Sequence, residues 1–287
     1  MSAPPLHLAV ELDGVPFADL PAAVAAAEAA GFALVTLADS PLPPASGERI
    51  EAGVRAAYLA RRTSRIGLAP ALPVTTTEPF HLATQLASLD HASGGRAAWV
   101  VAAPNGADEL ATIGRTPLDA AGLRREAEDV IRVARLLWDS WEDDAIIRDV
   151  ASGRFLDADR VHHVNFEGVT FSVSGPLITT RPPQGQVVVI VPHALGLDAF
   201  ADVVLVEDPS EAVEEGPLVF AEVRSYPAGP AGLGHLSGAV HGVRLHPRSL
   251  EEFAALAAEF GPGRPVAGPT LRDTLGLPRP VNAFQEA

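Results

Sequence analysis

The chain has no cysteine, no lysine and a single methionine among its 287 residues. Without cysteine there is no disulfide, no cysteine-ligated zinc or iron–sulfur centre and no thiol nucleophile. Without lysine there is no Schiff base, which removes pyridoxal-phosphate and class I aldolase chemistry, and no Walker-type phosphate lysine. All 21 basic residues are arginine, and the formal net charge is −15. That excess of acid repels nucleic acid and anionic membranes, and no basic stripe offsets it. No apolar run of about 18 residues occurs, so no transmembrane helix is expected. No basic region precedes Glu11 and Asp13, so a secretory signal is not expected and a cytoplasmic location is the default. Gly-x-Ser-x-Gly and His-Glu-x-x-His are also absent, which removes the nucleophile elbow and the common zinc-protease signature.

What is present is a large apolar content, 47%, enough for one extended core over residues 1–287. The stretch Ser88 to Pro104 organises it. Leu82, Leu86 and Leu89 keep helical spacing, and Gly94-Gly95 can end a helix in the left-handed conformation. Ala97 to Ala103 is then a short apolar run of the kind buried on both faces of a parallel sheet. Similar runs occupy Leu6–Leu12, Phe32–Leu37, Ile66–Leu72, Gln186–Val191, Ala201–Val206, Leu218–Val223 and Ala239–Leu245. Helical patterns separate the early runs: Ala22–Ala30 behind Asp19 and Pro21, Ile50–Arg61, and Pro79 to Gly94. Asp119 to Ser140 is one long amphipathic helix, and Ser249 caps a last helix over Leu250–Phe260. Eight strands with helices between them make a (β/α)8 TIM barrel. Val161 to Val173 has a hairpin pattern, with Asn165–Gly168 in or near its turn, outside the barrel between the fourth and fifth strands. Only about ten residues separate the fifth strand from the sixth and about eleven the sixth from the seventh, roughly the minimum for a crossover helix with its loops, so the helices after the fifth, sixth and seventh strands are expected to be stubs or missing. Reduced helices there should uncover apolar strand surface at Val203, Leu205, Val219 and Phe220, and a homodimer is expected to cover it.

The sequence Leu89-Asp-His-Ala-Ser-Gly-Gly-Arg96 resembles the bacterial luciferase-like superfamily of flavin-dependent monooxygenases. Leu137-Trp-Asp-Ser-Trp-Glu-Asp-Asp-Ala145, Gly168 to Leu177 with Arg181-Pro-Pro-Gln-Gly185, and the tail Thr270 to Pro280 are similar to its nitrilotriacetate and dibenzothiophene-sulfone monooxygenase branch. The resemblance implies the same barrel with an excursion between strands four and five. It implies a small organic substrate, O2, and reduced FMN from a partner reductase, with the protein excluding water around the cofactor.

In a barrel the chemistry lies at the C-terminal strand ends. Those ends carry Glu11 and Asp13; Asp39 and Ser40; Thr75, Thr76 and Thr77; Pro104 and Asn105; His193; Glu207 and Asp208; Arg224 and Ser225; Arg244 and His246. By resemblance, Asp39 falls where the family has an acidic residue near the flavin. The remaining cofactor positions are altered. Ala102-Ala103 stands where Ser or Thr is usual. Ala120 and Arg124 stand near a usual His and Tyr. Val191-Pro-His193-Ala-Leu replaces a small-residue loop whose Ser helps hold the phosphate. Arg124 can bind phosphate in its place. Asp39, Ala103, Arg124 and His193 are therefore the candidate cofactor residues, and FMN binding is expected to be weak or absent in the isolated chain. The alternative is a non-catalytic paralogue that serves for binding or as a partner of another chain. The neighbours His162 and His163 point to opposite faces of a strand and cannot easily share a metal; no metal is expected. Trp99, Trp138 and Trp141 read as packing residues.

Overall fold

In a computed structural model, residues 6–44, 49–212, 216–224, 230–260 and 268–285 are described. The strands are β1 (His7–Glu11), β2 (Leu34–Leu37), β3 (Gly67–Pro73), β4 (Ala98–Ala102), then β5 (Ile146–Asp149), β6 (Arg154–Leu156), β7 (Phe166–Glu167) and β8 (Ser172–Val173), then β9 (Val188–Pro192), β10 (Val203–Val206), β11 (Leu218–Val223) and β12 (Gly242–Leu245). The α-helices are α1 (Leu20–Ala29), α2 (Ala52–Ala60), α3 (Pro79–Ser93), α4 (Ala107–Ala111), α5 (Ala120–Asp139), α6 (Leu250–Phe260) and α7 (Leu271–Leu275). Eight parallel strands, β1 to β4 and β9 to β12, close into a barrel. The pairs β5–β6 and β7–β8 are separate antiparallel hairpins.

Side chains alternate between the two faces of each strand. Ala9, Leu34, Ala69, Ala71, Ala98, Val100, Val188, Ile190, Val203, Leu205 and Phe220 form one buried cluster, the barrel interior. Leu271 and Leu275 of α7 join it, and Leu271 inserts beside Leu34 and Gly67 at the N-terminal strand ends. Gly242 makes room for the ring that fills this interior: a Cβ there would stand 2.7 Å from Phe220. The outward positions Val10, Val35, Leu68, Trp99, Val189, Val204 and Val243 join the helices in the second cluster.

Helix α3 ends as the double glycine dictates, with Gly94 at φ 70° and its N–H returning to the Asp90 and His91 carbonyls. Asp90, Ser93 and Arg96 beside that turn are buried and hydrogen-bonded. Asp90 accepts from the Ala97 N–H and from Gln184. Arg96 donates to the carbonyls of Ala60, Thr63, Ile66 and Ser93. Burial pushes the Asp90 carboxyl up, against the hydrogen bonds that favour its charge. Arg272 of α7 spans the same end, donating to the Gln186 carbonyl at 2.9 Å and pairing with Asp202 at 3.0 Å. These groups lock the closed end of the barrel.

After β9, β10 and β11 the described residues contain only 3-10 turns, His193–Leu195, Asp198–Phe200, Pro209–Glu211 and Pro230–Leu236. The expected trimming is present, but its expected consequence is not. Val203, Leu205, Val219 and Phe220 are each less than 5% exposed. Val203, Leu205 and Phe220 face the interior. Val219 faces outward, where Leu197, Leu233, Leu236 and Val240 share its cluster. Short turns that carry leucines cover the strands as helices would.

Other differences are local. The hairpin turns at residues 168–171, with Gly168 in the turn and Asn165 just before β7: Gly168 N–H closes on the Phe171 carbonyl at 2.9 Å. Asp19 stands at the start of α1 without a side-chain capping bond, whereas Asp119 and Ser249 cap α5 and α6. Trp99 and Trp138 are fully buried, and each donates its indole N–H to a backbone carbonyl, of Leu72 and Ala83. Trp141 does the same to Leu177. Among the described residues, no helix is long and apolar enough to cross a membrane.

Candidate active site at the barrel mouth

Above the apolar interior the inward positions change character. Glu11 follows Ala9, Thr36 follows Leu34, Glu222 follows Phe220 and Arg244 follows Gly242, each two residues on and hence on the same face. The strand register sets Ala9 opposite Arg244 and Glu222 opposite Arg244. Arg244 grips Glu222 with a fork: Nε donates to Oε2 at 2.9 Å and Nη2 donates to Oε1. His246 bonds the same carboxylate through Nε2 at 2.6 Å. Burial alone would raise the Glu222 carboxyl, yet His246 and Arg244 hold it down to about 2. Glu11 behaves in the opposite way. Burial pushes it up, although Arg244 and the Thr36 hydroxyl favour its charged form. Thr36 donates to Glu11 Oε2 at 2.8 Å, and the Asp13 and Ala38 N–H groups donate to Oε1.

The opposite wall is apolar. Pro73, Ala102 and Pro192 continue the inward series of Ala71, Val100 and Ile190. The mouth therefore sets an ionic wall on β1, β2, β11 and β12 against a small apolar wall on β3, β4 and β9.

A cleft of about 780 Å3 opens over β2 and β3, lined in part by Asp39, Pro41, Pro73, Thr77, His81 and Ile113. Both Asp39 oxygens already accept backbone N–H groups, from Ser40 at 2.8 Å and Ala52 at 2.6 Å. Asp39 thus ties the loop after β2 to the start of α2 while facing the cleft. Asp13 is held by Arg49 and Arg55, each at 3.2 Å. Thr75 and Asn105 bond backbone carbonyls of Pro104 and Leu118.

Arg124 lies beside Gly196, which ends the turn His193–Leu195. Arg124 is exposed on α5, with a guanidinium nitrogen 3.6 Å from where a Cβ on Gly196 would stand. Among the described residues no hydrogen bond or ion pair engages it. His193 Nδ1 lies 2.7 Å from Asp198 Oδ2, and the buried Asp198 Oδ1 has no partner among the described residues. Ala103 packs with the outer cluster and Ala102 with the inner one. Glu207 and Arg224 pair at 2.7 Å on the surface, Asp208 caps the turn at Pro209–Glu211, and Ser225 lies outside the described residues. His162 bonds Glu142 and His163 bonds the Gly175 carbonyl, so the two rings serve different partners. Among the described residues no group of three or more metal-ligating side chains occurs.

Three residues of these networks carry no motif in the sequence: Thr36, Asp198 and Glu222. Glu222 is recoverable from parity, since Leu218-Val-Phe-Ala-Glu222 puts a carboxylate on the face of Phe220. Asp198 offers no such signal, because a 3-10 turn fixes its position and strand parity does not extend to it.

Comparison with known proteins places this arrangement. The family described as Luciferase-like monooxygenase matches residues 3–197. One of the chains of pristinamycin IIA synthase of Streptomyces pristinaespiralis is 36% identical over 90% of this chain and 88% of its own length. N-acetyl-S-(2-succino)cysteine monooxygenase of Bacillus subtilis is 42% identical over 53% of this chain. The A component of nitrilotriacetate monooxygenase of Aminobacter aminovorans is 41% identical over 47%. The matches span only 35% and 30% of those two relatives' lengths. Among solved structures, EDTA monooxygenase from Chelativorans shares the fold with a TM-score of 0.80 at 17% identity, over 96% of this chain and 99% of that one. With a closed parallel barrel, a hairpin excursion after β4 and a family match over its first two-thirds, the chain belongs to the luciferase-like monooxygenase family.

Proposed function

We propose that the chain is an oxygenase barrel that takes reduced FMN from a separate reductase and acts on a small organic substrate at the mouth. The divided mouth carries this reading: one apolar wall to lie against a flat ring and one ionic wall to hydrogen-bond its polar edge. The donor set fits FMN in chemistry. Arg124 has a guanidinium free for a phosphate, and His193, oriented by Asp198, stands on the loop beside it. Asp39 lines the cleft, and Ala103 offers only backbone and van der Waals contact. Bound reduced flavin would supply the electrons that activate O2. The protein's part is to bind, orient and keep water out.

Anaerobic titration with chemically reduced FMN, followed by admission of O2, tests this. Protein in excess should change the rate of flavin reoxidation at least severalfold. An unaltered rate across the full concentration range would overturn it. A second reading has one specific observation in its favour: the relative that matches along nearly the whole chain is named as one part of a multi-chain synthase, and another chain of the same synthase also matches, over 36% of this one. On that reading reoxidation is unchanged with this chain alone and altered only when a second luciferase-like chain is added. The first reading includes a cytoplasmic location and a homodimer that covers exposed Phe17, Ile50 and Val54 rather than the β10–β11 side.

A further inference from the structure

We propose that Glu11 and Arg244 form an adjacent acceptor and donor that recognise an N–H/C=O edge, as in a cyclic imide or lactam, on a ligand lying over the barrel mouth. This rests on the mouth being the ligand site. The geometry singles out two atoms. Arg244 spends Nε and Nη2 on Glu222, which leaves Nη1 with only a long 3.5 Å approach to the Thr36 hydroxyl. Glu11 Oε1 accepts two backbone N–H groups, whereas Oε2 accepts only from Thr36. Nη1 and Oε2 stand 3.8 Å apart, close enough for one small planar group to reach both. Glu11 and Arg244 keep 14% and 12% of their side chains open, while the layer beneath is sealed by Phe220, Leu205 and Leu34.

Charge decides the ligand class. Glu222 already neutralises Arg244, and Glu11 Oε2 stands 3.8 Å from Nη1, so a carboxylate or sulfonate brought here would face a carboxylate at close range. An uncharged edge with one acceptor and one donor meets no such repulsion. A purely space-filling role would be served as well by apolar side chains, as in the layers below, since a buried ion pair is a poor source of stability. Two sources carry this chemistry: the pyrimidine edge of a flavin and an amide-bearing substrate.

The wild-type protein separates them. FMN is compared with 3-methyl-FMN, whose imide N–H is blocked, by isothermal titration. Succinimide is compared with N-methylsuccinimide by saturation-transfer NMR. If the flavin edge sits on the pair, methylation of FMN weakens binding about tenfold or more. If the substrate edge does, the two flavins behave alike and only succinimide is discriminated from its methyl derivative. Equal behaviour within both pairs overturns the proposal. The double variant Glu222→Gln/Arg244→Met removes opposite charges together and should abolish the discrimination. Discrimination surviving in that folded variant overturns the assignment to Arg244. Failure of FMN to bind at all, with succinimide still discriminated, would sink the flavin reading and leave this one standing.

Discussion

The two ends of the barrel are built from similar residue types and differ in what is left over. At the closed end, Asp90, Arg96, Gln184 and Arg272 have their hydrogen-bonding groups engaged by backbone or by each other. At the mouth, Arg244 Nη1 has only long approaches, to Thr36 at 3.5 Å and Glu11 at 3.8 Å, and among the described residues Arg124 has no partner and Asp198 Oδ1 is buried without one. Leu89 to Arg96, one of the stretches that carry the family resemblance, lies at the closed end. A signature of this kind reports the fold. The chemistry has to be sought at the other end, in residues that no motif names.

Substitutions at the two ends should therefore separate stability from ligand binding. Arg272→Ala is expected to have the largest effect, about 3–5 kcal/mol of unfolding free energy by urea titration, because it strips a buried partner from Asp202. Flavin affinity per folded molecule should not change. A loss under about 1 kcal/mol would show that Arg135, the other partner of Asp202, carries the pair alone.

Glu222 gives the next effect, and it depends on pH. Its folded pKa of about 2 lies below the ordinary 4.5, so its stabilisation is fully present above about pH 4.5 and is lost as pH falls through 2. The difference corresponds to about 3 kcal/mol. Glu11, Asp90 and Asp139 are shifted up by burial and act with the opposite sign, so the comparison needs Glu222→Gln rather than wild type alone. The stability gap between the two proteins should shrink between pH 5 and pH 2. A gap constant with pH would mean that the carboxylate is not held by Arg244 and His246.

The third test concerns cover. Leu197 sits in the turns that replace a helix after β9, and Leu86 sits in α3; both are no more than 1% exposed. If turn and helix cover the strands equally well, Leu197→Ala and Leu86→Ala should each cost about 2–4 kcal/mol in thermal or urea unfolding. A negligible cost at Leu197 alone would mean that the turns merely rest on the barrel. The smallest effect is expected at Asp39→Ala, about 1 kcal/mol, from loss of the bonds to Ser40 and Ala52.

Most of the fold is legible because barrel strands announce themselves as short apolar runs. Val188-Val-Ile-Val and Val203-Val-Leu-Val need no partner information to be read, and Gly94-Gly95 marks the end of α3 by backbone chemistry alone. Helix α7 is not legible as an element. Five residues are too few to show a period, and what makes it helical is its Thr270 cap and its docking on Gly67. The hairpin β5–β6 is hidden because its strands are mostly exposed and so lack apolar alternation. In the site, Asp39, Arg244 and His246 are visible as strand-end residues, but their roles depend on pairings across the barrel. No spacing along the chain shows that Glu222 closes on Arg244, or that the Asp39 oxygens are taken up by its own loop and helix.

The most direct test is isothermal titration of the wild-type protein and Arg124→Ala with FMN and riboflavin. The expected result is saturable binding of both flavins, with FMN in about the millimolar range after two phosphate hydrogen bonds are lost. Whatever preference for FMN remains should disappear in Arg124→Ala. No saturable binding of either flavin would contradict the assignment of the mouth as a flavin site, and micromolar FMN binding unaffected by Arg124→Ala would contradict the weakened phosphate grip.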